Sequence, residues 1–204
     1  GQLNGIGIEV QEKNGQVVAA EEFTSLFDEY AHKGYRTILV GTALPYGQVL
    51  EGKVEICRSY PWGCARLGLV NQASAHVIRA MSYWTDPWSQ FVYDRVWPRM
   101  QYDPVTSRFK ATKRDMTDVV THPPTNTFAV FHLLVPHYPY IFDEKGEFCG
   151  AQAAIYEYGN ANGYERNLHG LDRLVGEIVA TLKQAGRFDD AMILFTADHS
   201  YRSH

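Results

Sequence analysis

The chain has 204 residues, 45% of them apolar and 21% charged, with a net charge of −4. That composition suits one globular domain over residues 1–204 with a sizeable core. It excludes the basic patch or charge run of a nucleic-acid-binding surface. No apolar run approaches the roughly 18 residues that a membrane span needs, and the first residues do not read as a signal peptide.

Residues 1–20 are rich in Gly and Asn, with one short alternating stretch at Gln16-Val17-Val18. Phe23, Leu26, Phe27 and Tyr30 then fall at i, i+3, i+4 and i+7, which predicts a helix. Glu21 and Glu22 suit its N-terminal dipole and Gly34 its C-cap. Residues 35–41 are β-branched and end in glycine, as a strand would. Residues 42–66, punctuated by Pro45, Gly47, Gly52, Pro61 and Gly63, predict loop, and residues 67–83 a helix. Trp84, Trp88 and Phe91 share one helical face. That face is core or a domain cover on the plain reading, and a sugar- or lipid-facing surface on the sharper one. Residues 103–125, polar and closing in Pro123-Pro124, predict an exposed excursion.

Residues 127–135 form the strongest strand signal, an apolar run suited to burial on both faces of a parallel sheet. It breaks at Pro136-His137-Tyr138-Pro139-Tyr140, and residues 143–162 predict loop or short helix. Leu168, Leu171, Val175, Ile178 and Leu182 then mark a helix ended by Gly186. Residues 191–197 predict a buried strand, parallel to 127–135 in the same sheet. Helix–strand alternation gives an α/β class with a mostly parallel central sheet flanked by helices. Cys57 and Cys64 are close enough in sequence to bridge. With Cys149, however, they make neither a disulfide framework nor a common zinc spacing, so free thiols are expected.

Two predicted strands end in groups that carry chemistry. One leads to His137 and the other to Asp198-His199, and ligands of open α/β sheets sit outside the carboxyl ends of strands. Asp oxygen and His nitrogen together suit a zinc- or manganese-class cation, and carboxylate alone also suits calcium or magnesium. The expected set is a divalent metal at Asp198 and His199 with His137 nearby, stabilising charge as a sulfuryl or phosphoryl group transfers. His132, inside the strand, reads as a hydrogen-bonded core histidine, and His169 as solvated. His204 is closer to a frayed terminus than to a ligand. There is no Gly-x-Ser-x-Gly elbow, P-loop or Gly-x-Gly-x-x-Gly, so no nucleophile is identifiable.

Four stretches together resemble the catalytic core of sulfatase-type enzymes in the alkaline phosphatase superfamily. They are residues 29–37, containing Gly34-Tyr35-Arg36-Thr37; Pro136-His137-Tyr138-Pro139-Tyr140; residues 164–188, containing Asp172 and Gly176; and Thr196-Ala197-Asp198-His199. Ser200 departs from the Gly usual after that metal pair. The resemblance implies a sulfatase-like α/β fold and a histidine, His137, that contacts the ester. It implies metal ligands at Asp198 and His199, and a nucleophile and acidic ligands upstream of this sequence, so that the chain is expected to be an incomplete core, inactive alone, or else a divergent member. It implies a metal-dependent hydrolase or transferase acting on sulfate or phosphate esters. It further implies an extracytoplasmic location, with membrane attachment through segments outside the chain. The competing expectation is a non-catalytic module of this fold, binding a sugar or lipid headgroup through Trp84, Trp88 and Phe91.

Overall fold

The computed structural model describes residues 9–11, 17–19, 24–44, 46–61, 87–123, 126–197 and 199. The chain divides into two compact units, residues 1–62 with 122–133 and residues 63–121 with 134–204.

The first unit contains an antiparallel ribbon of β1 (Glu9–Gln11) and β2 (Val17–Ala19). Its main feature is a three-stranded parallel sheet, with β3 (Arg36–Ala43) between β4 (Ile56–Pro61) and β5 (Thr127–His132). The α/β class is as expected, but the roles of the strands differ. β3 is the deeply buried strand, closed over Thr37 to Thr42, because it is paired on both sides. β5 is half-buried throughout and pairs with β3 alone among the described strands.

Helix α1 (Leu26–His32) starts at a capping box. The Ser25 hydroxyl accepts from the Asp28 N–H at 3.3 Å, and the Ser25 N–H donates to the Asp28 carboxylate at 2.8 Å. Gly34, at φ +80°, takes the left-handed position just past the end. Phe27 is buried with Leu39 and Leu50, and Tyr30 stacks on Phe128 of β5 at 4.0 Å. Leu26, expected on the buried stripe, faces solvent. Phe23, Glu21 and Glu22 lie outside the described residues.

The expected loop over 42–66 holds both the short helix α2 (Tyr46–Val49) and β4. The β4 sequence Ile56-Cys57-Arg58-Ser59-Tyr60-Pro61 has no apolar run of its own, and its pairing with β3 defines it.

In the second unit the expected excursion over 103–125 is instead the greater part of α3 (Pro87–Thr121). Tyr102, Thr106, Phe109, Thr112, Met116, Val119 and Val120 recur at helical spacing and are buried. Thr106 tolerates that face because its hydroxyl donates back to the Tyr102 carbonyl at 3.0 Å. Pro98 lies inside the helix and cannot donate to the carbonyl four residues earlier. That carbonyl, on Asp94, instead meets Gln152 Nε2 at 3.5 Å. The helix expected over 67–83, and Trp84, lie outside the described residues. Trp88 and Phe91 do share a helical face and stack at 5.9 Å, but they are exposed, Trp88 by 71%, and so are not core.

Residues 134–160 pack between α3 and α4 (Ala161–Gln184) as an irregular segment pinned by two bridges, Tyr140 with Ile155 and Phe142 with Phe148. The Tyr156 hydroxyl donates to the Pro98 carbonyl at 2.8 Å, and burial pushes its pKa up. The Asn160 side chain caps α4 by accepting from the Gly163 N–H at 2.9 Å. The buried face of α4 runs through Gly163, Arg166, Asn167, Gly170, Leu174 and Leu182, and Leu168 of the expected stripe is exposed.

The strand expected over 191–197 is absent. The segment is irregular, with Met192 97% and Leu194 84% exposed. The shared parallel sheet expected for 191–197 and 127–135 is not formed, because 191–197 is not a strand. An apolar run supplies only the composition of a strand; without a partner for its N–H and C=O groups it does not form one. Cys57 and Cys149 are free thiols, both pushed up in pKa by burial, and Cys64 lies outside the described residues.

The α4 glycines give a contrast in sign. A Cβ on Gly163 would stand 2.2 Å from the Tyr140 ring and one on Gly170 2.5 Å from the Phe142 ring, while one on Gly176 meets nothing within 4 Å. Gly163→Ala and Gly170→Ala are expected to destabilise by about 1–3 kcal/mol through overpacking. Gly176→Ala should stabilise by up to about 1 kcal/mol through helix propensity. Denaturant midpoints of the three variants check this, and equal shifts for Gly170 and Gly176 would refute the close packing.

Candidate functional site

His137 belongs to the second unit, on a loop bounded by Pro136 and Pro139, each preceded by a cis peptide bond. Its N–H donates to the Leu134 carbonyl at 2.7 Å, closing a turn. Its ring Nδ1 lies 2.7 Å from the Tyr138 carbonyl. A carbonyl only accepts, so this bond places a proton on Nδ1 and sets the tautomer of a neutral ring. The ring sits beside Tyr138 at 4.6 Å and Tyr158 at 5.9 Å, and all three are at least half-exposed or half-buried rather than sealed in the core.

The loop is held from below by α4. Asn167 is completely buried. Its Oδ1 accepts from the Ile141 N–H at 2.9 Å, and its Nδ2 donates to the His137 carbonyl at 3.0 Å, with the carbonyls of Pro136 and Pro139 at 3.4 and 3.5 Å. Beyond the loop, Asp143 accepts from the N–H groups of Glu147 at 2.8 Å and Lys145 at 2.9 Å. These bonds, Glu147 first, hold its carboxyl below the usual range. Arg166, buried next to Asn167, donates to the Ala153 carbonyl at 3.4 Å, with its Nε 3.7 Å from Glu144.

A second histidine is fixed in the first unit. His132 Nδ1 lies 3.0 Å from the Thr42 carbonyl and 2.7 Å from the Tyr46 hydroxyl. The Thr42 hydroxyl donates to the His132 carbonyl at 3.2 Å. The Tyr46 ring rests on Gly41, where a Cβ would meet it at 2.6 Å. The expected hydrogen-bonded strand histidine is what the structure shows, half-buried rather than sealed.

A family model described as Sulfatase matches residues 7–204. The chain belongs to the sulfatase family. Membership makes it a sulfatase-like hydrolase in general terms, of a family whose substrates are sulfate esters and whose members generally use a divalent metal. No curated protein and no solved structure matches the chain.

Set against that family, the three expected site residues stand differently. His137 has a defined, braced position. His199 is exposed at the end of the irregular 191–197 segment, and Asp198 lies outside the described residues. Carboxylate and imidazole suit a divalent cation in kind. Among the described residues, however, no group of three or more His, Cys, Asp or Glu is gathered where a cation could be held.

The sequence reading missed Asn167. The one local sign is an amide in the middle of a helix, where Asn is a poor helix former, with glycines four residues before it and three residues after; the loop it serves lies 26 to 31 residues upstream. A histidine anchored twice through Nδ1 should matter to stability. His132→Ala is expected to cost about 1–3 kcal/mol by stranding its partners, and Tyr46→Phe about 0.5–1.5 kcal/mol. Thermal midpoints read both, and an unchanged midpoint for His132→Ala would remove it from the fold's support.

Proposed function

We propose that this sulfatase-family chain carries part of the active site of a metal-dependent hydrolase or transferase acting on sulfate esters, with phosphate esters as the competing substrate class. The observation that carries the reading is the fixed place of His137. Its Nδ1–H is given to the Tyr138 carbonyl, so the reading assigns the ester contact to Nε2. With Nδ1–H already engaged, Nε2 donates a hydrogen bond to an ester oxygen only in the imidazolium form, and in that form the ring stabilises charge that grows there as the group transfers. Asp198 and His199 would hold the divalent cation, with further ligands from elsewhere in the protein. When bound, such a cation offsets negative charge on the ester oxygens. An extracytoplasmic, membrane-attached setting is part of the reading and is supported by the family resemblance alone. Among the described residues no helix is long and apolar enough to cross a membrane.

The test is turnover of 4-nitrophenyl sulfate and 4-nitrophenyl phosphate by the intact protein. His137→Ala is expected to lower turnover by about 10²-fold, the scale of one lost charge-stabilising donor, with the thermal midpoint little changed. A variant as fast as wild type on both esters would take His137 out of the site. Metal content should fall in Asp198→Ala, since losing one carboxylate from a cation's shell weakens binding. Equal metal in wild type and variant, by elemental analysis after dialysis, would remove Asp198 from the ligand set.

A non-catalytic reading draws on the exposed, stacked Trp88 and Phe91. It is favoured if neither ester turns over while a sugar or lipid headgroup binds wild type and not Trp88→Ala.

A further inference from the structure

We propose that Asn167 is the positioning residue of the site, the group that sets where the His137 ring stands; the proposal rests on the assignment of His137 to the ester contact. Three observations converge on it. First, Asn167 is 0% exposed, yet its amide serves the backbone of one short loop: the Ile141 N–H at 2.9 Å, the His137 carbonyl at 3.0 Å, and the Pro136 and Pro139 carbonyls at 3.4 and 3.5 Å. Second, Pro136 and Pro139 lack N–H groups, so this loop cannot brace itself by donating from those positions, and its carbonyls need a donor from outside. Third, the glycines on either side of Asn167 admit the rings of Tyr140 and Phe142, where a Cβ would stand within 2.6 Å of ring atoms. Those two gaps let the helix come close enough for a side chain as short as Asn to reach the loop backbone.

The chemistry of the position is specific. The loop presents one donor and a set of acceptors, and a primary amide carries an acceptor oxygen and a two-proton donor on one short branch. A carboxylate keeps the first bond and turns an anion toward three carbonyl oxygens in a buried site. A leucine of similar volume keeps neither bond. The His137 carbonyl lies in the same residue as the imidazole, and the ring's own Nδ1 bond goes to the next carbonyl along. A shift of the backbone at 137 therefore moves the ring and its tautomer-setting bond together.

The experiment uses the intact protein with ¹⁵N-labelled histidine. Wild type, Asn167→Asp, Asn167→Ser, His137→Ala and the double variant His137→Ala/Asn167→Asp are compared. Turnover of 4-nitrophenyl sulfate gives kcat and KM, and the ¹⁵N spectrum reports the Nδ1 proton of His137. The expected result is a kcat lower by up to about 10²-fold in Asn167→Asp, the scale of an ångström-sized misplacement, with KM changed less. The His137 Nδ1 signal should shift or broaden. The double variant should be no slower than His137→Ala, because Asn167 acts through that ring. Asn167→Ser, smaller and uncharged, should show the same pattern more weakly.

If His137→Ala leaves turnover intact, the functional reading fails, and the Nδ1 signal still decides whether Asn167 holds the ring. If His137→Ala collapses turnover while both Asn167 variants keep wild-type kcat and an unmoved signal, the proposal is overturned. Wild type alone gives a further arm that does not depend on a variant's folding. The side-chain amide protons of Asn167 should be strongly protected from exchange with solvent, and rapid exchange overturns the proposal.

Discussion

The second unit depends on one buried amide. Folding brings residues 134–142 against α4, and that segment carries backbone groups that no sheet or helix satisfies. Leaving even one buried carbonyl or N–H without a partner costs about 1–3 kcal/mol, so the close approach of loop and helix is stable only if something in the interface is polar in the right pattern. Asn167 supplies that pattern. The rest of the arrangement accommodates it. Ring stacking of Phe142 on Phe148 at 5.0 Å and the edge contact of Phe109 at 5.2 Å close the apolar surroundings on the α3 side. The ion pair of Lys113 with Glu177 lies at the surface between α3 and α4, where its contribution is small.

The first unit solves a similar problem with different parts. At the carboxyl ends of β3 and β5 the ladder stops, and carbonyls there have no further strand to accept from. His132 and Thr42 answer each other across that edge, ring nitrogen to carbonyl and hydroxyl to carbonyl, and Tyr46 covers the pair from α2. Two histidines five residues apart in the chain thus have unlike surroundings. One closes a sheet edge, and the other stands on a loop whose backbone is braced from a helix.

How much of this could be read from the amino-acid sequence depended on whether the cause was local. The strands at 36–43 and 127–132 and the helix at 161–184 declare themselves in β-branched runs and helical spacing, and the family's loop around His137 declares itself in its prolines. β4 does not, because Ile56 to Pro61 becomes a strand only by lying beside β3. The long α3 helix is obscured by Pro98, Pro104 and a polar face, and its buried Thr106 satisfies its hydroxyl within the helix. Residues 191–197 err in the other direction: they have a strand's composition and no strand's partner. Asn167 was hidden because its targets lie 26 to 31 residues upstream. The pattern it completes belongs to the fold and not to its neighbours in sequence. Asp198, read from a carboxylate and an imidazole side by side after an apolar run, lies outside the described residues.

The exposed run at 191–195 has a colloidal consequence. Ala191-Met192-Ile193-Leu194-Phe195 contains no charge and no proline, the makeup of a segment that pairs with copies of itself when left uncovered. Asp189 and Asp190 precede it and Asp198 follows it, so two molecules aligning these segments must bring like charges together at both ends. That repulsion is the gatekeeper of the segment, and it is a solvent-screened one, with a reach that contracts from about 10 Å at 0.1 M salt to about 3 Å at 1 M. Self-pairing of this one segment is therefore expected to respond to ionic strength through the aspartates that flank it.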